Sequence, residues 1–222
     1  MLKNFFKTAG RNILKHKAYA AINFAGLTAG LALSLLIITY VRSELSYDRF
    51  HDKSGRLYRL NYTAPNGLKL ASTPPPITPL MTEFFPEVEE AARIYGRNVS
   101  ITHPEGQEGE SFEESGVIFV DSAIMKMFSF TFISGNPKQA LIDPFTLLIT
   151  DEMAKKYFGD KSPLGESLIF GGKHSFRIIG VVKDFPENSH LRFHMLVPYD
   201  NMFDMEPDET AARMRANLAP IL

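Results

Sequence analysis

The stretch SLLIITYVRSELSYDRFHDKSGRLYRLNY, residues 34–62, changes at Val41 from an apolar run to a dense mixture of charged and aromatic residues. Upstream of that boundary, residues 18–41 include no charged side chain, and Asn23 is the only strongly polar one. At 1.5 Å per residue this segment forms a helix of about 36 Å, enough to cross the roughly 30 Å hydrocarbon core of a bilayer. The sequence therefore predicts a transmembrane helix over residues 18–41.

The segment before this span is basic, because Lys3, Lys7, Arg11, Lys15 and Lys17 precede the apolar run. A cleaved signal peptide is the alternative interpretation of such a pattern. However, the apolar run is longer than the roughly 7–15 residues of a signal-peptide core, and VRSELSYD offers no small-x-small cleavage site. The pattern favours an uncleaved signal anchor with the lipid bilayer as its surroundings.

The distribution of charge predicts the orientation of the span. Residues 1–17 contain no acid and are expected to form a cytoplasmic basic amphipathic helix. From Arg42 onward the chain holds 19 of the 24 basic residues and all 25 acidic residues. Topology depends mainly on basic residues, but these are nearly balanced on the two sides of the span, because Arg49, Lys53 and Arg56 follow Arg42 closely. The distribution of acidic residues is therefore the better indicator of orientation. We expect a cytoplasmic N-terminus and an extracytoplasmic main domain.

Several function classes lack the residues that they require. The absence of cysteine excludes disulfides, thiol nucleophiles and thiolate metal sites. The sequence contains no GxxxxGK[ST] motif. Its nearest imitation, GGKHS at residues 171–175, has Ser167 where the first glycine is needed and His174 where a hydroxyl residue is needed. His190 and His194 have the spacing of metal ligands on a helix, but on a strand their rings would stand roughly 13 Å apart. We therefore expect no enzymatic activity, no cofactor and no metal, and the net charge of −1 argues against a nucleic-acid partner.

Helical spacing of apolar residues continues beyond Val41 and predicts a stalk over residues 42–55, with Gly55 where a glycine would end the helix. The residues singled out in this stalk are Arg42, Glu44, Tyr47, Asp48, Arg49 and Phe50. Tyr58, Leu60 and Tyr62 then alternate with polar residues, which predicts the first strand. The alternative is an interfacial belt of aromatic residues and arginines followed by a loop.

Residues 56–200 alternate between helix and strand signals and predict a mixed α+β domain. A helix within residues 72–85 is expected to pack on a sheet. A second helix is expected within residues 122–128, with Asp121 as its cap, and a third within residues 151–158, with Gly159 at its end. Strands are expected at residues 92–102, 111–121, 146–150, 166–170, 175–185 and 191–199. A turn at residues 171–172 would join two of these strands into a hairpin.

The transmembrane segment carries a face of small residues. Gly26, Gly30 and Ser34 lie four residues apart, so they share one side of a helix. Such faces allow a second membrane helix to approach closely. The pattern predicts packing against another membrane helix.

Five segments in fixed order resemble a known family. They are LKNFFKTAGRNILKHKAYAAINFAGLTAGLA, ELSYDRFHDKSGRLYRL, VDSAIMKMFSFTFISGNPKQAL, TDEMAKKYFGDKSPLGESL and GVVKDFPENSHLRF. Together they resemble the N-terminal part of a MacB/FtsX-type ABC transporter permease, from residue 1 to about Pro198.

The resemblance implies a cytoplasmic helix, a first transmembrane helix and a MacB-like periplasmic core domain in a bacterial inner membrane. It also implies a separate ABC ATPase subunit, whose ATP-driven movement is conveyed across the membrane, and other permease helices or a second permease copy as partners. Family members continue through at least three more membrane helices, so residues 201–222 are expected to be the tail of a truncated chain. The alternative function is that of a single-span, membrane-anchored extracytoplasmic binding or sensor domain.

Overall fold

The computed structural model describes residues 2–103 and 111–205, and the chain divides into two compact units at the boundary between Tyr47 and Asp48. The first unit contains the helices α1 (Leu2–Lys15) and α2 (Lys17–Leu45), separated by His16 in a non-helical conformation. α2 includes the whole predicted span and is long and apolar enough to cross a membrane. None of its residues is buried, as expected for a helix whose surroundings are lipid or other membrane helices.

The second unit is a mixed α+β domain, which confirms the predicted fold class. Its helices are α3 (Ile77–Phe84), α4 (Ile124–Met127), α5 (Asp151–Phe158) and α6 (Asn201–Asp204). Its strands are β1 (Tyr62–Thr63), β2 (Lys69–Leu70), β3 (Ile94–Thr102), β4 (Phe112–Val120), β5 (Phe132–Gly135), β6 (Thr146–Thr150), β7 (Ser167–Phe170), β8 (His174–Val182) and β9 (Met195–Pro198).

The large sheet closes on itself through β8. One edge of β8 pairs with β6, while the opposite edge pairs first with β7 and then with β5. Because β7 also pairs with β3, hydrogen bonding runs through β8, β6, β9, β4, β3 and β7 and returns to β8. The β4–β9 and β6–β8 pairs are parallel, and the other pairs are antiparallel. Closure pairs strand edges that an open sheet would leave exposed.

Two apolar clusters lie on the two faces of this ring. Along β4, Val117 and Phe119 enter the first cluster, and Ile118 and Val120 enter the second, as the two-residue period of a strand requires. The first cluster includes side chains of α5 and α6, and the second includes side chains of α4 and of the segment before β9. Both faces are therefore covered, which explains why every residue of β6 is buried.

The α5 helix forms where local signals predict it. The Thr150 hydroxyl accepts a hydrogen bond from the Met153 N–H, and Asp151 and Glu152 occupy the first turn. Negative charge there is favoured by the helix dipole, and a capping side chain contributes about 1 kcal/mol. Gly159 follows the last turn with a φ of 59°. The predicted hairpin between β7 and β8 is also present, with residues 171–172 at its turn.

Two predictions about the first part of the domain are wrong. The strand expected at Tyr58–Tyr62 is reduced to a two-residue pairing of β1 with β2, and the Tyr58 side chain is 84% exposed. The alternating residues do not form a longer strand, because there is no core against which one of their faces could be buried. The α3 helix forms as expected, yet it buries none of its residues and is not packed into the core of the domain.

Two further predictions fail because side chains find other partners. The Asp121 carboxylate does not cap α4; it accepts hydrogen bonds from the backbone N–H and the guanidinium of Arg93. The strand expected at residues 191–199 shortens to β9. The Ser189 hydroxyl accepts from the Leu191 N–H, and Arg192 donates to the Glu187 carbonyl, so the preceding residues are held in a turn.

Candidate functional site: the corner that begins the domain

The predicted stalk is divided between the two units. Arg42 and Glu44 belong to the end of α2, which stops at Leu45. Asp48 has a left-handed backbone with a φ of 55°, a conformation that a right-handed helix cannot contain. A continuous helix through residues 42–55 is therefore wrong. Gly55 does not end a helix either, since it lies inside the short 3₁₀ turn Ser54–Arg56.

Asp48 fastens the start of the domain to the segment before β9. We call residues 48–52 the Asp48 corner. It includes Arg49 and Phe50, which were also predicted to belong to the stalk. One Asp48 carboxylate oxygen accepts hydrogen bonds from the Ser189 hydroxyl and the His190 N–H, both at 3.0 Å. The other lies 2.7 Å from His190 Nδ1, and the Asp48 N–H donates to the Asn188 carbonyl at 3.0 Å. One residue is thus held by three consecutive residues that follow it far along the chain.

His51 fastens the same corner to the segment after α4. Its Nδ1 accepts a hydrogen bond from the Ser129 N–H at 3.1 Å, and the Asp52 N–H donates to the Ser129 hydroxyl at 2.9 Å. Because Nδ1 is an acceptor, the neutral ring carries its proton on Nε2. His51 is only 2% exposed, and Nε2 has no hydrogen-bond partner among the residues described. The ring is therefore held by one hydrogen bond and by packing.

Aromatic rings provide that packing. The centroids of Phe50, Phe128 and Phe185 lie 3.9, 4.8 and 5.2 Å from the His51 centroid. Phe193, a buried member of the second apolar cluster, lies 5.0 Å from Phe185 in an edge-on arrangement. Such aromatic pairs contribute about 0.5–1.5 kcal/mol each beyond the area that they bury. The Asp48 corner is therefore continuous with the core of the domain.

Burial and hydrogen bonding move the pKa values of the two anchoring residues. Burial alone would raise the pKa of Asp48, but the hydrogen bonds from His190 and Ser189 outweigh it, so the pKa lies below its usual 3.8. Burial lowers the pKa of His51 below its usual 6.5, against the opposing charges of Asp48 and Asp52. At neutral pH, Asp48 is charged and His51 is neutral, the states that fit their hydrogen bonds.

Ser189, His190 and Asp48 contain the residue types of a hydrolytic triad but not its geometry. In a triad, the histidine stands between the carboxylate and the serine hydroxyl. Here the Ser189 hydroxyl donates directly to Asp48, and Ser189 is 2% exposed. This arrangement holds two segments together rather than activating a nucleophile.

Three of the five resembling segments meet at the Asp48 corner. They are the segment that contains Asp48 and His51, the one that contains Ser129, and the one that contains His190. Sequence reasoning singled out Asp48, but it missed His51, Ser129 and Ser189, and it considered His190 only as a metal ligand. Their presence in the quoted segments was a signal, yet the Asp48–Ser189 contact spans 141 positions and cannot be read from local spacing.

The three small residues of α2 lie on one side of the helix, as predicted. A Cβ built on Gly26 or Gly30 would meet nothing within 4 Å in the described part of the chain. The Ser34 hydroxyl donates to the Gly30 carbonyl at 2.8 Å, inside the helix. This face is therefore open for an approaching helix, and its partner stays a prediction.

His190 and His194 have separate contacts. His190 contacts Asp48, and His194 Nδ1 lies 2.9 Å from the Ser115 carbonyl. Across residues 2–103 and 111–205, no group of three or more His, Cys, Asp or Glu side chains is placed to hold a metal ion. A pocket beside Lys173 and His174 has a volume of about 200 Å³, below the roughly 300 Å³ at which small-ligand sites begin.

Comparison with known families gives one match over most of the chain. The family described as MacB-like periplasmic core domain matches residues 20–219. The match extends beyond Pro198 and includes α6, although residues 206–222 lie outside the part that the structure describes. No curated protein sequence matches significantly.

One solved structure of a permease domain has a similar fold, and two structures of transporter domains match more weakly. A domain of a protein described as a permease, from Porphyromonas gingivalis, is 26% identical with a TM-score of 0.54, and the match covers 65% of this chain and 58% of that one. The extracellular domain of the ABC-type transporter YknZ from Gram-positive bacteria is 22% identical, with coverages of 51% and 56% and a TM-score of 0.40. The periplasmic region of MacB from Actinobacillus actinomycetemcomitans is 13% identical, with coverages of 72% and 65% and a TM-score of 0.45. The chain spans less than two thirds of each structure.

Proposed function

This chain belongs to the MacB-like periplasmic core domain family, and from that premise we propose that it acts as a permease subunit of an ABC transporter. In this role, a separate ATPase subunit binds the cytoplasmic side of the bacterial inner membrane. The movement driven by ATP hydrolysis passes through α2 to the extracytoplasmic domain, with the N-terminus in the cytoplasm. The movement serves export or another process of the cell envelope.

The Asp48 corner is the observation that carries this proposal. Only Ser46 and Tyr47 separate the last residue of α2 from Asp48. Because an extended chain spans at most about 3.5 Å per residue, this linker can lengthen only slightly. Beyond it, hydrogen bonds hold Asp48 and His51, and half-buried phenylalanine rings pack around the buried His51 side chain. A displacement of the helix end is therefore passed on to the domain rather than absorbed by a flexible segment.

Energy must come from a partner in this proposal. The sequence has no GxxxxGK[ST] motif, so the purified protein is expected neither to bind nor to hydrolyse ATP. Isothermal titration with MgATP checks this. An affinity near the micromolar range, about −8 kcal/mol, would contradict the assignment of hydrolysis to a separate subunit.

An insertion that lengthens the linker tests the coupling. In a complete permease of this family that carries the same corner, Gly-Gly-Ser-Gly is inserted after the residue equivalent to Ser46, with the ATPase present. Glycine-rich linkers behave as coil, so we expect ATP hydrolysis to continue while the transport or signalling output is lost.

The matched control places the same four residues after Asn66, in the exposed turn between β1 and β2. This variant should keep its output, because the insertion lies away from the linker and the Asp48 corner. Full output from the Ser46 insertion would show that the linker is only a tether. That result would favour the membrane-anchored binding or sensor domain.

The small face of α2 is the proposed contact with other permease helices or a second copy. Gly26→Leu or Gly30→Leu should weaken association in a membrane two-hybrid assay by removing the close approach that glycine allows. Ala32→Leu, on a different side of the helix, is the matched control and should not. Equal association of all three variants would indicate that the face contacts lipid.

A further inference from the structure

A long stretch of the second unit contains no buried residue. Every residue from Asp52 to Asn98 is at least partly exposed, although this stretch contains α3 and the paired strands β1 and β2. A helix of eight residues is not stable in water by itself, and an isolated two-stranded pairing is marginal at best. Such elements take their stability from packing, so this stretch presents a surface that suits a partner.

Residues 56–90, which we call the arm, form one local structure within this stretch. The two ends of the arm are joined by an ion pair between Arg56 and Glu89 at 2.9 Å. Arg59 donates a hydrogen bond to the Ala71 carbonyl at 3.0 Å, so the chain before β1 lies beside the chain after β2. The arm is therefore closed at its base and is not an extended tail.

The arm exposes enough apolar surface for a protein interface. Its exposed large apolar residues retain between 37% and 84% of their accessible surface, and they are Tyr58, Leu60, Leu68, Leu70, Phe84 and Phe85. At roughly 200 Å² for a fully exposed large side chain, these residues present about 650 Å². A standard interface takes about 800 Å² from each partner, of which roughly 60% is apolar. The arm alone can therefore supply the apolar part of such an interface.

The charges of the arm are divided into two halves of opposite sign. Residues 56–70 contain three basic residues and no acid, whereas residues 71–90 contain four acids and no base. Lys69, Glu83 and Glu87 are exposed and form no ion pair with any residue that the structure describes. A lipid surface or a partner of one sign would suit only one half. A second copy related by a twofold axis suits both, because each half then faces the opposite half of the other arm.

We propose that the arms of two copies of this chain pack against each other, with residues 56–70 of one copy facing residues 71–90 of the other. The apolar side chains of the arm are then buried between the copies, and opposite charges face each other around them. This contact goes beyond the proposed function, because it needs neither an ATPase nor the small face of α2. Either proposal can therefore fail without the other.

Association of the arms is measured on full chains in detergent micelles, with Gly26→Leu and Gly30→Leu present to remove the contact proposed for α2. Because the chain has no native cysteine, Asp160→Cys can carry a single fluorophore on an exposed residue outside the arm. Labelled chain at a fixed low concentration is titrated with unlabelled chain and followed by fluorescence-detected sedimentation. We expect the labelled chain to pass from a monomer to a dimer as the unlabelled chain is added, and the midpoint gives the dissociation constant.

Charge reversal tests the arrangement of the two halves. Arg59→Glu/Lys69→Glu should weaken association roughly tenfold or more, because the altered half then faces glutamates of the other arm. Unlabelled Glu83→Lys/Glu87→Lys chain should associate with labelled Arg59→Glu/Lys69→Glu chain as the unmodified chains do, since opposite signs face each other again. A variant that merely failed to fold would not be rescued in this mixture.

The matched control, Lys138→Glu/Lys161→Glu, makes the same change of charge at exposed residues outside the arm and should leave the dissociation constant unchanged. Labelled chain that stays monomeric at every concentration would overturn the proposal. Equal weakening by the control, or a charge-reversed mixture that does not regain association, would overturn it as well. A larger species that forms only after lipid vesicles or another protein are added would identify a different occupant of the arm, and the proposal would again be wrong.

Discussion

Asp48 adopts a backbone conformation that costs energy for most side chains, and its contacts offset that cost. Aspartate tolerates a left-handed φ better than most residues because its short side chain can form local hydrogen bonds. Here its carboxylate instead accepts hydrogen bonds from Ser189 and His190 in a distant segment. Both the backbone and the charge of Asp48 therefore contribute to the closed corner.

Substitution can separate these two contributions. Asp48→Asn keeps a residue that tolerates the left-handed backbone but removes the charge, and should lower the free energy of unfolding by about 1 kcal/mol. Asp48→Ala removes both and should cost about 1–3 kcal/mol. Thermal unfolding of the purified chain, followed by circular dichroism, measures both variants. Asp160→Asn, at an exposed carboxylate, is the control; a loss as large as that of Asp48→Asn would contradict the role of the corner.

His51 should make the stability of the domain depend on pH. Its folded-state pKa lies below 6.5, so the unfolded chain takes up a proton at a higher pH than the folded chain does. The free energy of unfolding should therefore decrease as pH falls below about 6.5, by up to roughly 1.4 kcal/mol per pH unit. Protonation would also place a second donor against the Ser129 N–H, which opens this contact.

His51→Phe tests this dependence because phenylalanine suits the aromatic surroundings and does not titrate. The variant should unfold at a lower temperature at pH 8, since the Ser129 N–H loses its acceptor. Its unfolding temperature should then fall less between pH 8 and pH 5.5 than that of the unmodified sequence. Identical slopes for the two proteins would show that His51 is not the titrating group.

At the scale of whole elements, β5 depends on a close approach to β8 that only glycine permits. Gly135 has a φ of 98°, and a Cβ added there would lie 2.4 Å from the Ile179 carbonyl oxygen and 2.6 Å from the Gly180 Cα. Both obstacles are backbone atoms of the paired strand and cannot move aside independently. The pairing of β5 with β8 also contains an irregularity between Phe132 and Ser134. A side chain at residue 135 would therefore push β5 away from the ring.

Gly135→Ala is expected to lower the free energy of unfolding by about 2 kcal/mol or more, through overpacking and backbone strain. Gly55→Ala is the matched control, because nothing lies within 4 Å of the Cβ that it would add. It should change stability by less than about 0.5 kcal/mol. Denaturant unfolding followed by circular dichroism compares the two. A small effect at Gly135 would mean that β5 is not held as closely as the structure shows.

Elements with local signals could be predicted from the sequence, and elements that depend on distant partners could not. Thr150 and Gly159 mark both ends of α5 within a few residues. In contrast, Tyr58 belongs to a strand-like alternation, but no neighbouring strand pairs with it and its side chain is exposed. The same limit applies at the candidate site. Asp48 stood out in its own segment, whereas its pairing with His190 depends on the order of strands in the closed sheet, which one sequence does not reveal.

For the whole molecule, orientation in the membrane is the property on which the proposed function depends. The acid-free leader and the acid-rich remainder predict that the second unit lies outside the cytoplasm. Alkaline phosphatase needs disulfides that form only outside the cytoplasm, so fusion after Asp184 should be active and fusion after Lys15 inactive. Activity in the Lys15 fusion, with none in the Asp184 fusion, would reverse the orientation.

The Asp48 corner also determines the order in which the domain can be completed. The contacts of Asp48 with Ser189 and His190 join residues 141 and 142 positions apart, so they cannot form until nearly the whole domain has been synthesised. Closing so long a loop is entropically costly until intervening contacts have shortened it. The residues nearest α2 are therefore among the last to pack onto the domain. The proposed transmission between membrane and domain would begin only after the chain in between has folded.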